Sequence, residues 1–319
     1  MTFQGVIPIL ATPFHDDETL DVDSWQRLLE FMVAVRVDAV TILGVLGESN
    51  RLRDDERARL ISTAVSVVNG RVPVIVGTSH TGTRVVQDLS RQAQDLGAQA
   101  VMITPAREPV PNDDRIVELY QRVADGLAIP IILQDHPAST DVHMPVALML
   151  RLLNTIPAIH CIKEEAVPTA PKVRQLREGL AGRRVSILTG LGALYASFDL
   201  EAGSDGFNTG FAFPEVLMAM VRAARAADWR RVHDLYSWFA PLIVFEQQPG
   251  VAIRKEILRR RGLLASALAR HPGATITAAV AKQLDALLER TLPGVDVTKP
   301  LLVDEFTQRP RPVGASERS

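Results

Sequence analysis

The sequence predicts an α/β chain closed into a (β/α)8 barrel (TIM barrel) with a C-terminal helical appendage, and three observations lead there. Eight short β-branched or apolar runs alternate with longer amphipathic stretches, the pattern of repeated βα units around a parallel sheet. The eight units occupy about 230 residues, close to the ~250 usual for such a barrel. Beyond Gly210 the pattern becomes wholly helical. A doubly wound open sheet is the second architecture that the same alternation permits.

Taken in order, the strands are expected at residues 5–11, 39–43, 72–77, 100–104, 130–134, 159–163, 185–189 and 206–209, runs dominated by Val, Ile, Leu and Ala. The helical patterns between them include 54–68, 81–96, 113–126 and 145–153, several opened by Asp, Thr or Pro, which satisfy or dispense with the first free N–H groups. Helices follow at 214–227, 229–245, 250–264 and 275–290, around breaks at Pro249 and Pro272. The barrel is therefore assigned to residues 1–227 and the helical extension to 228–296. Residues 297–319, rich in Pro, Arg and Ser, are expected to form a disordered tail.

The 319 residues are 47% apolar and 23% charged, with 35 basic and 37 acidic side chains mixed along the chain. A net charge of −2 leaves no basic stripe, so neither nucleic acid nor a membrane surface is an expected partner. Cys161 is the only cysteine, which excludes an internal disulfide, and the start lacks a signal-peptide pattern; the cytoplasm is the expected compartment. There is no His-x-His or His-Glu-x-x-His, and Gly190-Leu191-Gly192 has no Lys or Arg beside it to hold phosphate; neither a metal nor another cofactor is expected.

In a parallel barrel, function gathers at the C-terminal ends of the strands. The polar residues there are Thr12, the 44–50 loop, His80, Arg107, Glu108, Gln134, Asp135, His136, Lys163, Glu164, Glu165 and Asn208. Lys163 is one of only five lysines. Strand alternation places Ile159, Cys161 and Lys163 on one face; with that face inward, the amine sits desolvated at the mouth. Burial lowers an amine pKa and favours attack on a ketone, so a Schiff base suits this position. The alternative is a rim lysine paired with Glu165 or Glu164.

The chain resembles the dihydrodipicolinate synthase and N-acetylneuraminate lyase family of class I aldolase barrels over about residues 3 to 292. The likeness is carried by Gly5-Val6-Ile7-Pro8-Ile9-Leu10-Ala11-Thr12-Pro13-Phe14, Gly44-Val45-Leu46-Gly47-Glu48-Ser49, Ile162-Lys163-Glu164, residues 206–210, Gln248-Pro249-Gly250 and Arg270-His271-Pro272. It implies that Lys163 forms an imine with a 2-oxo acid and that the chain is a homo-oligomer, a dimer or tetramer. Thr12, Gly44, Val45, Leu46, Gly47, Glu48, Asp135, Glu165 and Asn208 are then expected to bind substrate.

Departures from the family pattern bear on the reaction. Val45 and Leu46 replace the two hydroxyls of the Gly-Thr-Thr-Gly-Glu loop, Gln134 stands where the acid/base tyrosine is expected, and Ser139 replaces the arginine that clamps an aldehyde substrate's carboxylate. His136 is the expected replacement proton shuttle beside Gln134, since imidazole populates both protonation states near neutrality. The sequence thus specifies a Schiff-base lyase of aldolase or dehydratase type, with dihydrodipicolinate synthase proper, or a catalytically silent metabolite-binding barrel, as alternatives.

Overall fold

The computed structural model describes residues 2–109, 112–248 and 250–305. Its strands are β1 (Gly5–Pro8), β2 (Val40–Ile42), β3 (Val74–Gly77), β4 (Ala100–Ile103), β5 (Ile131–Asp135), β6 (Ile159–Glu164), β7 (Ser186–Thr189) and β8 (Gly206–Thr209). All pair in parallel, in the order β1-β8-β7-β6-β5-β4-β3-β2. The two ends meet where Ile9 bridges Thr41 and Leu10 N–H donates to Thr41 O at 2.9 Å, which closes the (β/α)8 barrel. Several strands are shorter than the sequence predicts at their C-terminal ends, because residues such as 11 and 12 leave the ladder to build the mouth.

Helices α1 (Val22–Ala34), α2 (Asp54–Val68), α3 (Thr83–Asp95), α4 (Asp113–Ala124), the one-turn α5 (Pro137–Thr140), α6 (Val146–Thr155), α7 (Thr169–Leu180), α8 (Ala196–Glu201) and α9 (Pro214–Arg225) occupy the connections. Side-chain caps fix two of their starts: Asp21 accepts from Ser24 N–H and Asn112 from Asp114 N–H. Strand alternation separates two apolar layers. Ile7, Ile75, Met102, Ile132, Cys161 and Leu188 fill the barrel, while Val6, Val74, Val101, Leu133, Ile162 and Ile187 pack outward on the helices.

Ile159 does not share the inward face of Lys163. A register shift pairs Ile131 with Ile159 but Ile132 with Cys161, so His160 is an extra residue that turns Ile159 to the outer layer. The period-two pattern resumes at Cys161, and Lys163 still points inward.

Of the C-terminal helices α10 (Trp229–Phe245), α11 (Ala252–Arg260) and α12 (Ala278–Thr291), α10 packs on α8 and α9 and α12 packs on α10. Residues 297–305, expected to open the disordered tail, are ordered against the barrel: Leu301 and Val303 are buried, and Arg261 donates to Val297 O at 3.1 Å. Two apolar side chains and a buried arginine outweigh the local Pro and charge content there. The rest of the expected tail, 306–319, lies outside the described residues. No helix among them is long and apolar enough to cross a membrane.

Candidate active site

Gln134 and Lys163 project inward at one level, paired in the β5–β6 register, and the inward alternation Ala100, Met102, carried one step past the end of β4, sets Thr104 beside them. Lys163 is 3% exposed, and its Nζ lies 3.1 Å from Glu165 Oε2. That oxygen also accepts from Gln134 Nε2 at 2.7 Å, while Glu165 Oε1 accepts from Leu191 N–H at 3.1 Å. A carboxylate is thus held at both oxygens against a buried amine. Gly190 makes room for it, since a Cβ there would fall on the Glu165 side chain.

Burial destabilises the ammonium of Lys163 more than Glu165 restores it, so the lysine pKa lies below its ordinary value. Burial also opposes charge on Glu165, but Lys163, then His136, Gln134 and Leu191 N–H, outweigh it and hold this carboxyl below the usual range. The pair can exchange a proton directly: loss of one from Lys163 to Glu165 frees the amine for attack. His136 is half-buried, its pKa lowered mainly by burial, and its Nδ1 lies 2.6 Å from Ser139 Oγ. Glu165, not His136, is the group in contact with the lysine.

The 44–48 loop covers the opposite side. Leu46 packs on the inner apolar layer with Ile9 and Met102, while Val45 is exposed at the rim. Gly44 and Gly47 permit this close approach; a Cβ at Gly44 would press on Ile9 at 3.1 Å, and one at Gly47 on Leu10 O at 3.3 Å. Thr12 holds the loop by donating to Gly47 O at 2.6 Å. Asn208 faces the interior and donates to Ile7 O and Thr41 Oγ1 at 3.0 and 2.8 Å, which leaves its Oδ1 without a partner.

Two residues expected at the site are turned from it. Glu48 is committed to three donors: Lys255 Nζ lies 2.5 Å from its Oε1, and Arg51 Nη1 and Arg270 N–H lie 2.7 and 2.9 Å from Oε2. Lys255 is itself fully buried, donates to Leu268 O at 2.6 Å and has its pKa lowered to about 8 by burial. Asp135, next after inward Gln134, points out toward α7, where it pairs with Lys172. Glu164 joins it from β6, its Oε2 3.6 Å from Lys172 Nζ, and its pKa is pushed up to about 8 by burial first and Asp135 second.

Sequence reasoning missed Thr104, although the alternation Ala100, Met102, Thr104 marks it as the next inward residue of β4. It also missed the contact of Leu191 N–H with Glu165, a backbone contribution that side-chain chemistry does not signal. Among the described residues, no group of three His, Cys, Asp or Glu side chains could hold a metal ion.

Fold and site together define a class: a (β/α)8 barrel with a buried lysine–carboxylate pair at its mouth. The chain belongs to the dihydrodipicolinate synthetase family, whose model matches residues 2–291. It is 35% identical to an L-2-keto-3-deoxyarabonate dehydratase from Azospirillum brasilense over 300 residues, 90% of this chain and 96% of the relative. It is 31% identical to a 4-hydroxy-tetrahydrodipicolinate synthase from Stenotrophomonas maltophilia, covering 90% and 99%. The crystal structure of dihydrodipicolinate synthase from Rhodopseudomonas palustris superposes with a TM-score of 0.86 at 33% identity, over 91% of this chain and 98% of that one.

Proposed function

We propose that this protein is a Schiff-base dehydratase acting on a 2-oxo-3-deoxy sugar acid, with Lys163 as nucleophile and Glu165 as the acid/base. The observation that carries this reading is the Lys163–Glu165 contact, held by Gln134 where the resemblance implies a tyrosine. Two of the three tyrosine hydroxyls, those of Tyr120 and Tyr236, are spent on Ile103 O and Leu194 O, and the carboxylate already touching the amine is the better placed group for proton transfer. Kinship to the Azospirillum dehydratase supports the substrate class.

In this mechanism the neutral Lys163 amine attacks C2 of the 2-oxo acid, and loss of water gives an imine. Glu165 takes a proton from C3, with the iminium as electron sink, to form an enamine. The enamine expels the C4 hydroxyl, which leaves as water with the proton returned by Glu165. The conjugated imine tautomerises, and hydrolysis releases the product and Lys163. A carboxylate can serve both steps because the site is shielded from solvent.

Synthesis of the dihydrodipicolinate type is disfavoured because Ser139 offers no cation to a second carboxylate and Val45 and Leu46 no hydroxyl. We also propose a homo-oligomer, supported by the large apolar side chains Val167 and Phe198 left exposed on segments joined by the 2.5 Å Thr169–Asp199 hydrogen bond. Light scattering on the parent and F198D tests that part.

The decisive experiment is borohydride reduction with 2-oxo acids, read by intact mass and peptide mapping, alongside assay of water loss from 2-oxo-3-deoxy sugar acids. An adduct on Lys163 together with dehydration is expected. Adduct on Lys172 or Lys255, or robust condensation of pyruvate with aspartate semialdehyde, would overturn the reading.

A further inference from the structure

The proposed chemistry leaves the buried hydroxyl of Thr104 unused. Thr104 is 8% exposed and its Oγ1 has no hydrogen-bond partner, whereas its backbone N–H is fixed by Ser79 Oγ at 3.0 Å. Such a hydroxyl can both donate and accept, and leaving it unmatched away from water is unfavourable unless a ligand completes it.

Its position fits the far end of a substrate. Thr104 follows directly on the Ile103–Leu133 pair, so strand alternation sets it beside the Gln134–Lys163 pair, one strand from Gln134 and two from Lys163. Neighbouring strands are ~4.8 Å apart, so the Thr104 and Lys163 backbones are separated by about 10 Å. A five-carbon chain held at C2 reaches about 5 Å to its terminal oxygen, counting C–C and C–O bonds of about 1.5 Å. The extended lysine side chain spans the remainder. The loop's own cation, Arg107, is engaged by Asp141 at 2.9 Å, which favours a neutral hydroxyl over a second carboxylate at that end.

We infer that Thr104 is a specificity-determining residue whose hydroxyl recognises the terminal hydroxyl of a 2-oxo acid bound at Lys163. This rests on the imine reading above but not on dehydration, and the test uses ligands that form an imine without a C4 leaving group. The concentration for half-maximal borohydride trapping is compared for 5-hydroxy-2-oxopentanoate and 2-oxopentanoate. The parent is expected to favour the hydroxylated compound about 5- to 10-fold, as one hydrogen bond provides. Thr104→Val, nearly the same shape, should reduce that preference to about 2-fold or less; Thr104→Ser should keep it.

A parent without preference, a Val variant that retains it, or a Ser variant that loses it as fully as Val would overturn the role of Thr104. A parent that traps neither compound would overturn the imine reading and this inference with it. A parent that shows the preference, loses it in Thr104→Val and dehydrates no sugar acid would uphold Thr104 and remove only the dehydratase.

Discussion

Strands β5 and β6 carry a lysine–carboxylate cluster on each of their two faces. Inward, Lys163 meets Glu165 and Gln134; outward, Lys172 meets Asp135 and Glu164. The carboxyl groups of both are buried, and strand alternation sets the clusters back to back. They differ in stoichiometry and access. The inner cluster pairs one amine with one carboxylate at the barrel mouth, whereas the outer one sets Lys172 of α7 against two buried carboxyl groups. Asp135 Oδ1 and Glu164 Oε2 lack hydrogen-bond partners there. Burial of charge therefore does not by itself mark a site; an inward amine at the strand ends with a matched proton acceptor does.

The sharpest way to break this comparison is to exchange which lysine is lost. Lys163→Ala should abolish both imine trapping and turnover while the fold persists, measured by intact mass and circular dichroism. If the adduct remained, the outer cluster or Lys255 would have to be the nucleophile. Next in size, Glu165→Gln should lower dehydration by at least ~100-fold, as loss of a general base does, while trapping at Lys163 continues. Equal loss of trapping and turnover would show that Glu165 serves only to position the amine.

The outer cluster should respond in stability. Lys172→Met removes the cation beside buried Asp135 and should cost about 3–5 kcal/mol in denaturant unfolding, with Lys163 still able to form the adduct. An unchanged midpoint would mean that the carboxylates share a proton and need no ammonium.

The smallest effect concerns pH. Glu164 has a folded pKa of about 8 against an ordinary 4.5. The unfolded chain therefore releases this proton first, and the associated stability, fully present below about 4.5, is lost as pH rises toward 8 and levels off above it. Glu164→Gln should flatten that decline in calorimetric melting temperature between pH 5 and 8.5. A parallel slope in variant and parent would assign it to another group.

The barrel was legible in the sequence because period-two apolar strands and capped helices repeat in order, each element's local pattern agreeing with the global fold. Lys163 was legible for the same reason, as the inward residue at a strand end. Asp135 and Glu48 were misplaced because the partners that claim them, Lys172 and Lys255, are distant in sequence and reveal themselves only when packed. The His160 bulge was invisible because an extra residue in a strand leaves the composition unchanged. Glu165 was legible as a partner of Lys163, but its fixation by Gln134 and Leu191 N–H comes from β5 and the loop after β7.

The buried tie between Lys255 and Glu48 bears on recombination of this fold. Exchanging βα units between relatives, or ending a gene at the close of the eighth unit, treats the C-terminal helices as detachable. Here α11 supplies the counter-charge for a residue in the loop whose Leu46 lines the mouth. A chimera that joined this β2 loop to a foreign C-terminal segment without a lysine at that place would leave Glu48 Oε1 without its cation, with Arg51 holding only the other oxygen. Compatible crossovers must therefore inherit the second loop and the eleventh helix as one heritable pair.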